Sequence, residues 1–202
     1  MIREGNTVTR PELPITWPKV TAQLVLRPIT HQDFPDIASY LSLPEVYGLT
    51  SRTYSSPTEV LEHLGERLSD PNYIGIAIER DGRLVGNAKL SISDAWAQVP
   101  DEEAARSLGE VGYTIDPAHA NRGYATEALE AILEIAFNDL GLRRVEAGCF
   151  AMNTASRRVL EKAGMRLEGL YIEESLHHEL GWVDGASYAL LASEWRARQA
   201  SS

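Results

Sequence analysis

The sequence predicts a single α/β (α+β) domain: a mixed, mostly antiparallel sheet of about seven strands with helices on both faces. Three observations carry that expectation. Tyr73 to Glu79 and Leu84 to Ile92 are apolar, alternating runs joined by Asp81-Gly82, the dipeptide that most strongly signals a two-residue hairpin. Gly109 to Asp116 alternates in the same way and leads through Ala120-Asn121-Arg122-Gly123 into the longest amphipathic run of the chain. The order of elements is strand-rich at first and then alternates helix and strand, which calls for helices packed against both sides of a sheet.

Taken in order, residues 1–20 carry Pro11, Pro14 and Pro18 without periodicity and read as an extended N-terminal arm with Trp17 as its anchor, leaving 21–202 as the domain. Leu24-Val25-Leu26-Arg27-Pro28 is a short strand stopped by proline, and Asp33 opens a helix running through Leu41. Pro57-Thr58-Glu59 starts a second helix with Leu61, Leu64 and Leu68 on one face, ending near Asp70-Pro71. After the hairpin, Ser93 to Leu108 interrupts the meander with Trp96, Pro100 and Asp101-Glu102-Glu103, read as a loop holding one short helix. The helix from about Gly123 to Leu140 gathers Leu129, Ile132, Leu133, Ala136 and Phe137 on one face, and Gly141 ends it. Leu142 to Phe150 is a strand, Asn153 caps a helix that stops at Gly164, and Met165 to Ile172 and Ala186 to Leu191 are the last two strands.

Composition narrows the function classes. Among 202 residues, 29 are acidic and 19 basic, a formal net charge of −10, and no basic run is present to hold a nucleic-acid backbone. An acidic surface instead draws cationic partners such as amines or basic peptides. The single cysteine excludes an intramolecular disulfide framework and suits a reducing cytoplasm, and no Cys/His spacing of zinc type occurs, so no metal is expected. No apolar run approaches the roughly 18 residues that cross a bilayer.

The stretch from Ala120 to Ala128 carries the most chemistry. A strand, a tight turn and a helix start leave several backbone N–H groups unpaired and aimed one way, the arrangement that grips a pyrophosphate without lysines. It points to a phosphate-bearing cofactor.

Together with other segments, this stretch resembles the GNAT acetyltransferases. The segments are Gly109-Glu110-Val111-Gly112-Tyr113-Thr114-Ile115-Asp116-Pro117, Arg122-Gly123-Tyr124-Ala125-Thr126-Glu127-Ala128, Asn153-Thr154-Ala155-Ser156 and Glu161-Lys162-Ala163-Gly164-Met165. The branch most similar is that of the ribosomal-protein N-terminal acetyltransferases, the RimJ/RimL type. The likeness spans about residues 23–195. It implies a V-shaped splay between the fourth and fifth strands, acetyl-CoA bound there, and transfer of acetyl to a primary amine. On that reading Tyr113, Thr114 and Ile115 line the pantetheine, and Arg122, Gly123, Tyr124, Ala125 and Thr126 hold the pyrophosphate. Asn153 combines an N-cap with a cofactor contact. Two positions depart from the family's pattern: Ala120 replaces a Gln or Arg, and Leu160 stands where many relatives carry the tyrosine that protonates the departing thiolate.

Acyl transfer to nitrogen needs a neutral amine, a polarised carbonyl and a proton for sulfur. At pH 7, neutralising an α-amine costs about 1 kcal/mol and a lysine about 4.6 kcal/mol, which makes a protein N-terminus the easier acceptor. Glu110 is the expected general base, since a carboxylate at the start of the cleft-lining strand can reach the amine or a bridging water. Ser156 is the leading proton donor to sulfur; its plain alternative is a first-turn helix serine bonded locally. Glu173, Glu174, His177, His178 and Asp184 compete with Glu110 for the base role, and His177 and Asp184 are also candidates for the acceptor site. Cys149, in an apolar strand without an adjacent base, is expected to be a structural thiol, so the acetyl group moves directly within a ternary complex. A small amine remains an alternative acceptor, as does a non-catalytic acyl-CoA-binding module kept open by Ala120 and Leu160. The oligomeric state is left open, a homodimer included.

Overall fold

The structure, a computed structural model, describes residues 13–54, 56–99 and 101–200. Among the described residues eight strands form one sheet: β1 (Lys19–Val20), β2 (Val25–Pro28), β3 (Tyr73–Arg80), β4 (Arg83–Ser93), β5 (Leu108–Ile115), β6 (Arg144–Phe150), β7 (Arg166–His177) and β8 (Gly181–Leu191). Their order across the sheet is β1-β2-β3-β4-β5-β6-β8-β7. Each neighbouring pair is antiparallel except β5 and β6, which run parallel. The strand beyond the seven expected is the two-residue β1, which belongs to the segment read as an arm. Leu13, Ile15 and Trp17 of that segment pack on the core, and Lys19 pairs with Asp139 at 2.7 Å. The first twelve residues and Pro100 lie outside the described residues.

Six α-helices among the described residues cover the sheet: α1 (Phe34–Leu41), α2 (Pro44–Tyr47), α3 (Pro57–Leu68), α4 (Tyr124–Glu134), α5 (Thr154–Lys162) and α6 (Ala192–Gln199). Strand alternation divides them between two faces. Ile74, Ile76 and Ile78 of β3 join Leu129, Ile132 and Leu133 of α4 and Leu160 of α5 in one core cluster. Ala77, on the opposite side of β3, packs with Ile37, Tyr40 and Leu41 of α1, Val46 of α2 and Val60 and Leu64 of α3 in the other. Asp81 and Gly82 both have positive φ, 51° and 73°, as the two-residue hairpin turn requires. The apolar stripe of α4 is fully buried, and its end widens into a π-turn over Ile135–Asp139 before Gly141 breaks it, with Leu140 N–H donating to the Ile135 carbonyl at 3.0 Å.

Two expectations about local structure are corrected. The 93–108 insertion holds successive turns in place of the short helix: Ala104 and Ala105 donate to the Asp101 and Glu102 carbonyls, and Arg106 N–H donates to the Asp94 carboxylate at 2.8 Å. Three consecutive acids offer no apolar face, and the Asp101 side chain takes the Glu103 amide at 2.8 Å, a local bond that competes with helix. The last two strands are longer than expected, because residues 173–177 and 181–185 continue the hairpin and do not form a polar loop. β7 is the sheet edge, exposed on most of its length, so acidic residues are tolerated there. A bulge after Tyr171 absorbs them, with Glu173 at φ 48° donating its amide to Asp184 at 2.9 Å.

Candidate active site

The parallel pair β5–β6 is bonded at three positions only: Leu108 with Arg144, Gly109 with Val145, and Glu110 with Glu146. Beyond Glu110, β5 stays paired with β4 to Ile115 while β6 stays paired with β8 to Phe150. The two strands therefore part, and their inner edges present backbone N–H and C=O groups to a V-shaped cleft. This is the splay expected between the fourth and fifth predicted strands; with β1 counted it falls between the fifth and sixth.

At the open end of β5, Asp116 caps a short 3₁₀ turn, its carboxylate accepting from Ala118 N–H at 2.9 Å, and the chain then reaches the start of α4. The N-cap of α4 is Gly123, at φ 84°, and no side chain caps the first turn. Its amides, those of Tyr124, Ala125 and Thr126 among them, are thus left to a ligand. A Cβ added at Gly123 would meet nothing within 4 Å, so the space beside this turn is open. Tyr124 is buried in the core, whereas Arg122 is exposed and makes no ion pair among the described residues. The acid of this first turn, Glu127, is occupied elsewhere. Its carboxylate accepts from Thr21 Oγ1 at 2.5 Å and from the Gln23 amide at 2.6 Å and side chain at 2.7 Å. Burial pushes its pKa up, but these bonds outweigh that and hold it below the ordinary value. Thr21 and Gln23 thus engage both oxygens of an acid that stays ionised.

Strand alternation sends the residues of β5 to opposite faces. Val111 packs in the core beneath α4, and Tyr113 turns the same way to reach the start of α5. Its hydroxyl lies 3.2 Å from Ser156 Oγ and 3.3 Å from the Ser156 carbonyl. Burial pushes the Tyr113 hydroxyl up to about 12, with the Ser156 bond opposing and Cys149 adding to the rise. Ser156 also donates its amide to Asn153 Oδ1 at 3.0 Å, the N-cap bond of α5. Cys149 is half-buried, and burial raises its thiol above the ordinary value against the opposing effects of Ser156 and Arg157. It is a protonated thiol at neutral pH. Leu160 is buried in the core, so the hydroxyls at this side of the cleft are those of Tyr113 and Ser156.

Glu110 sits where the strands part, on the face opposite Val111, with its side chain 61% exposed and 2.5 Å from Lys89 Nζ. Thr114 shares that face and is partly buried, and Ile115 packs against the core. Glu110 therefore lies on one face of the sheet where the strands part, and Ser156, met by the Tyr113 hydroxyl, on the other. The acceptor candidates behave differently. His177 was read in a polar loop but is buried at the tip of the β7–β8 hairpin, and both ring nitrogens are engaged. Asp184 accepts from Glu173 in the bulge, and its carbonyl accepts from Ala151 N–H at 2.8 Å. Lys89 escaped the sequence reading, although β4 alternation from the Asp81-Gly82 turn puts it opposite Gly112, diagonal to Glu110. Among the described residues no group of three His, Cys, Asp or Glu side chains converges as a metal ion would need.

A sheet parted after its central parallel pair, with an uncapped glycine-led helix at its open end, defines a GNAT-type fold. Residues 23–166 match the family model described as Acetyltransferase (GNAT) domain, and the chain belongs to that family. It is 41% identical over 86 residues, 43% of this chain, to the uncharacterized N-acetyltransferase YnaD of Bacillus subtilis (strain 168). The chain spans about half the length of the curated relatives it matches, 50% of YnaD and 57% of YjcK from the same organism. A solved GNAT-family acetyltransferase from Bacillus anthracis superposes with a TM-score of 0.72 at 26% identity, over 88% of this chain and 99% of that one. Two others show the shared fold alone: the spermidine N-acetyltransferase of Vibrio cholerae in complex with CoA and spermine (TM-score 0.74, 20% identity, 87% and 99% covered), and the ribosomal L7/L12 α-N-protein acetyltransferase RimL in complex with coenzyme A (0.72, 16%, 87% and 98%).

Proposed function

We propose that the protein moves an acetyl group from acetyl-CoA to a primary amine, with a protein N-terminal α-amine as the favoured acceptor, by direct attack in a ternary complex. The observation that carries the reading is the β5–β6 splay ending at an α4 first turn with no side-chain cap. The pantetheine would bond the free inner edge of β5 along Tyr113, Thr114 and Ile115, adding a strand-like partner where the ladder stops. The diphosphate would sit on the amides from Gly123 to Thr126, with Arg122 available beside them and Glu127 held away by Thr21 and Gln23.

Glu110 would take a proton from the attacking amine or through one water, a role supported by its exposed position where the strands part. Lys89 fixes its carboxylate. On the other side, Ser156 would protonate the departing thiolate, its Oγ positioned by the Tyr113 hydroxyl and its backbone by Asn153. Orientation and backbone N–H groups beside the carbonyl supply the rest, each worth several kcal/mol. The protonated Cys149 has no nucleophilic part.

The N-terminal acceptor rests on the lower cost of neutralising an α-amine and on resemblance to the RimJ/RimL branch, whose solved member named above acts on a ribosomal protein's α-amine. One observation favours a small amine instead: the segment after α1 reaches from one half of the sheet to the other, bonding His177 and Asn153 through the Gly48 and Leu49 carbonyls, which would leave less room for a peptide. Release of free CoA thiol, measured with polyamines, amino acids and peptides with free N-termini, separates these readings. Amine-independent behaviour across the whole panel would refute acetyl transfer.

A further inference from the structure

Residues 43–50 form a wound strap whose root and tip belong to different halves of the parted sheet. At the root, Val46 of α2 is buried in the cluster built by α1 and α3 on the β3–β4 side. Tyr40 of α1 hydrogen-bonds Asn87 at 2.8 Å, and Asn87 is the β4 partner of Thr114, so this root stands beside the open end of β5. At the tip, the Gly48 carbonyl meets His177 Nε2 at 2.9 Å and the Leu49 carbonyl meets Asn153 Nδ2 at 3.4 Å. Those two partners lie on the β7–β8 hairpin and on the N-cap of α5, at the open end of β6. The ring of Tyr47 also meets that of His178 edge-on, with centroids 5.4 Å apart. The strap thus bridges the V on the face that carries Glu110 and Thr114.

The His177 bond has only one possible sense. Nδ1 accepts from the amides of Glu179 and Leu180 at 3.1 and 3.2 Å, so the ring hydrogen is on Nε2 and donates to the Gly48 carbonyl. Phe150, the last residue of β6, packs on the same ring at 5.5 Å, and the residue is only 6% exposed. A single buried imidazole therefore closes the hairpin tip and holds the strap in place.

We propose that His177 is a positioning residue for the acceptor: by latching Gly48 it keeps the strap across the open end of the splay and sets the width of the acceptor entrance. The proposal rests on the acetyl-transfer reading, since it assigns the entrance to the amine. It makes no demand on the diphosphate end, which lies at α4. Unlatching is expected to act on the amine and leave acetyl-CoA binding as it was.

Two substitutions separate the latch from the hairpin tip. His177→Asn keeps an acceptor where Nδ1 stands and is too short to reach Gly48, whereas His177→Gln carries an N–H donor out to the Nε2 position. Hydrogen exchange of the amides of Val46 to Thr50 is read first. It should quicken by roughly tenfold in His177→Asn, the loss of about one hydrogen bond, and return toward the wild-type rate in His177→Gln. Steady-state kinetics follow, with spermidine, free L-amino acids and free-N-terminus hexapeptides as probes. For the probe that the wild type acetylates fastest, KM should rise in His177→Asn with little change in kcat, and acetyl-CoA affinity should stay within about twofold. Wild-type strap exchange in His177→Asn, or acetyl-CoA affinity falling in step with the amine, would overturn the latch. Failure of the acetyl-transfer reading would look different, as absent acetyl-CoA binding in the wild type itself.

Discussion

Replacing Gly123 with alanine tests the phosphate turn against its own control. Gly123 has φ 84° and Gly141, past the other end of the same helical segment, has φ 66°; a Cβ at either would meet nothing within 4 Å. An L-residue held in the left-handed region costs about 1 kcal/mol, so both Gly123→Ala and Gly141→Ala should lower stability by that amount. For a domain of this size the melting temperature should fall by about 2–4 °C in each. The two variants should part only when acetyl-CoA is added. In Gly123→Ala the new methyl group would occupy the space from which, on the proposed reading, a phosphate approaches the α4 amides, and losing one charge-assisted bond, about 1.5–3 kcal/mol, should weaken binding by about tenfold or more. In Gly141→Ala, affinity should match the wild type. Thermal melts give the first comparison and isothermal calorimetry the second. Equal acetyl-CoA affinity in the two variants would refute the assignment of the diphosphate to this turn.

Other outcomes follow from the same geometry. Glu110→Gln should lower kcat by roughly 10²- to 10⁴-fold with acetyl-CoA affinity preserved, and an unchanged kcat in a thiol-release assay would remove Glu110 as the base. The Tyr113 hydroxyl should titrate near 12, read as phenolate absorbance lost in Tyr113→Phe. Because its folded-state pKa is raised, this group contributes stability that is fully present below pH about 10 and is lost as pH climbs toward 12. Glu168 has the opposite sign: hydrogen bonds from Arg144 and Arg166 hold it at about 2, so its contribution is present above its ordinary range and disappears as pH falls toward 2. Acid denaturation followed by circular dichroism should therefore show a higher midpoint pH in Glu168→Gln than in the wild type. Leu129→Ala, which empties a fully buried site beneath the sheet, should cost about 2–5 kcal/mol in chemical denaturation.

What was legible in the sequence is what local spacing determines. Asp81-Gly82 announces its hairpin because few dipeptides accept two positive φ values, and the apolar stripe from Leu129 to Phe137 announces α4 because only a helix brings those residues to one face. The cleft was legible through resemblance, and its register confirms the parting of β5 from β6 after Glu110. The tip of the last hairpin was not legible. Glu173, Glu174, His177 and His178 look like a solvated loop, and the bulge that fits the acids into an edge strand depends on Asp184 across the hairpin. His177 is buried by a partner 129 positions away in the chain, a relationship that leaves no local periodic signal. Tyr113 reads from the sequence as a pantetheine-lining residue, although the alternation with Val111 also aims its side chain at α5. The 93–108 segment lost its expected helix because Asp101 bonds its own backbone.

The central claim is that the parted strands and the uncapped turn of α4 together hold acetyl-CoA. Calorimetric titration of the folded 202-residue chain with acetyl-CoA tests it most directly. The account predicts one saturable site per chain, with affinity that weakens in Gly123→Ala and persists in Gly141→Ala. No heat of binding with ligand raised to about 1 mM, the concentration at which even a weak site of about −4 kcal/mol is half filled, would contradict it.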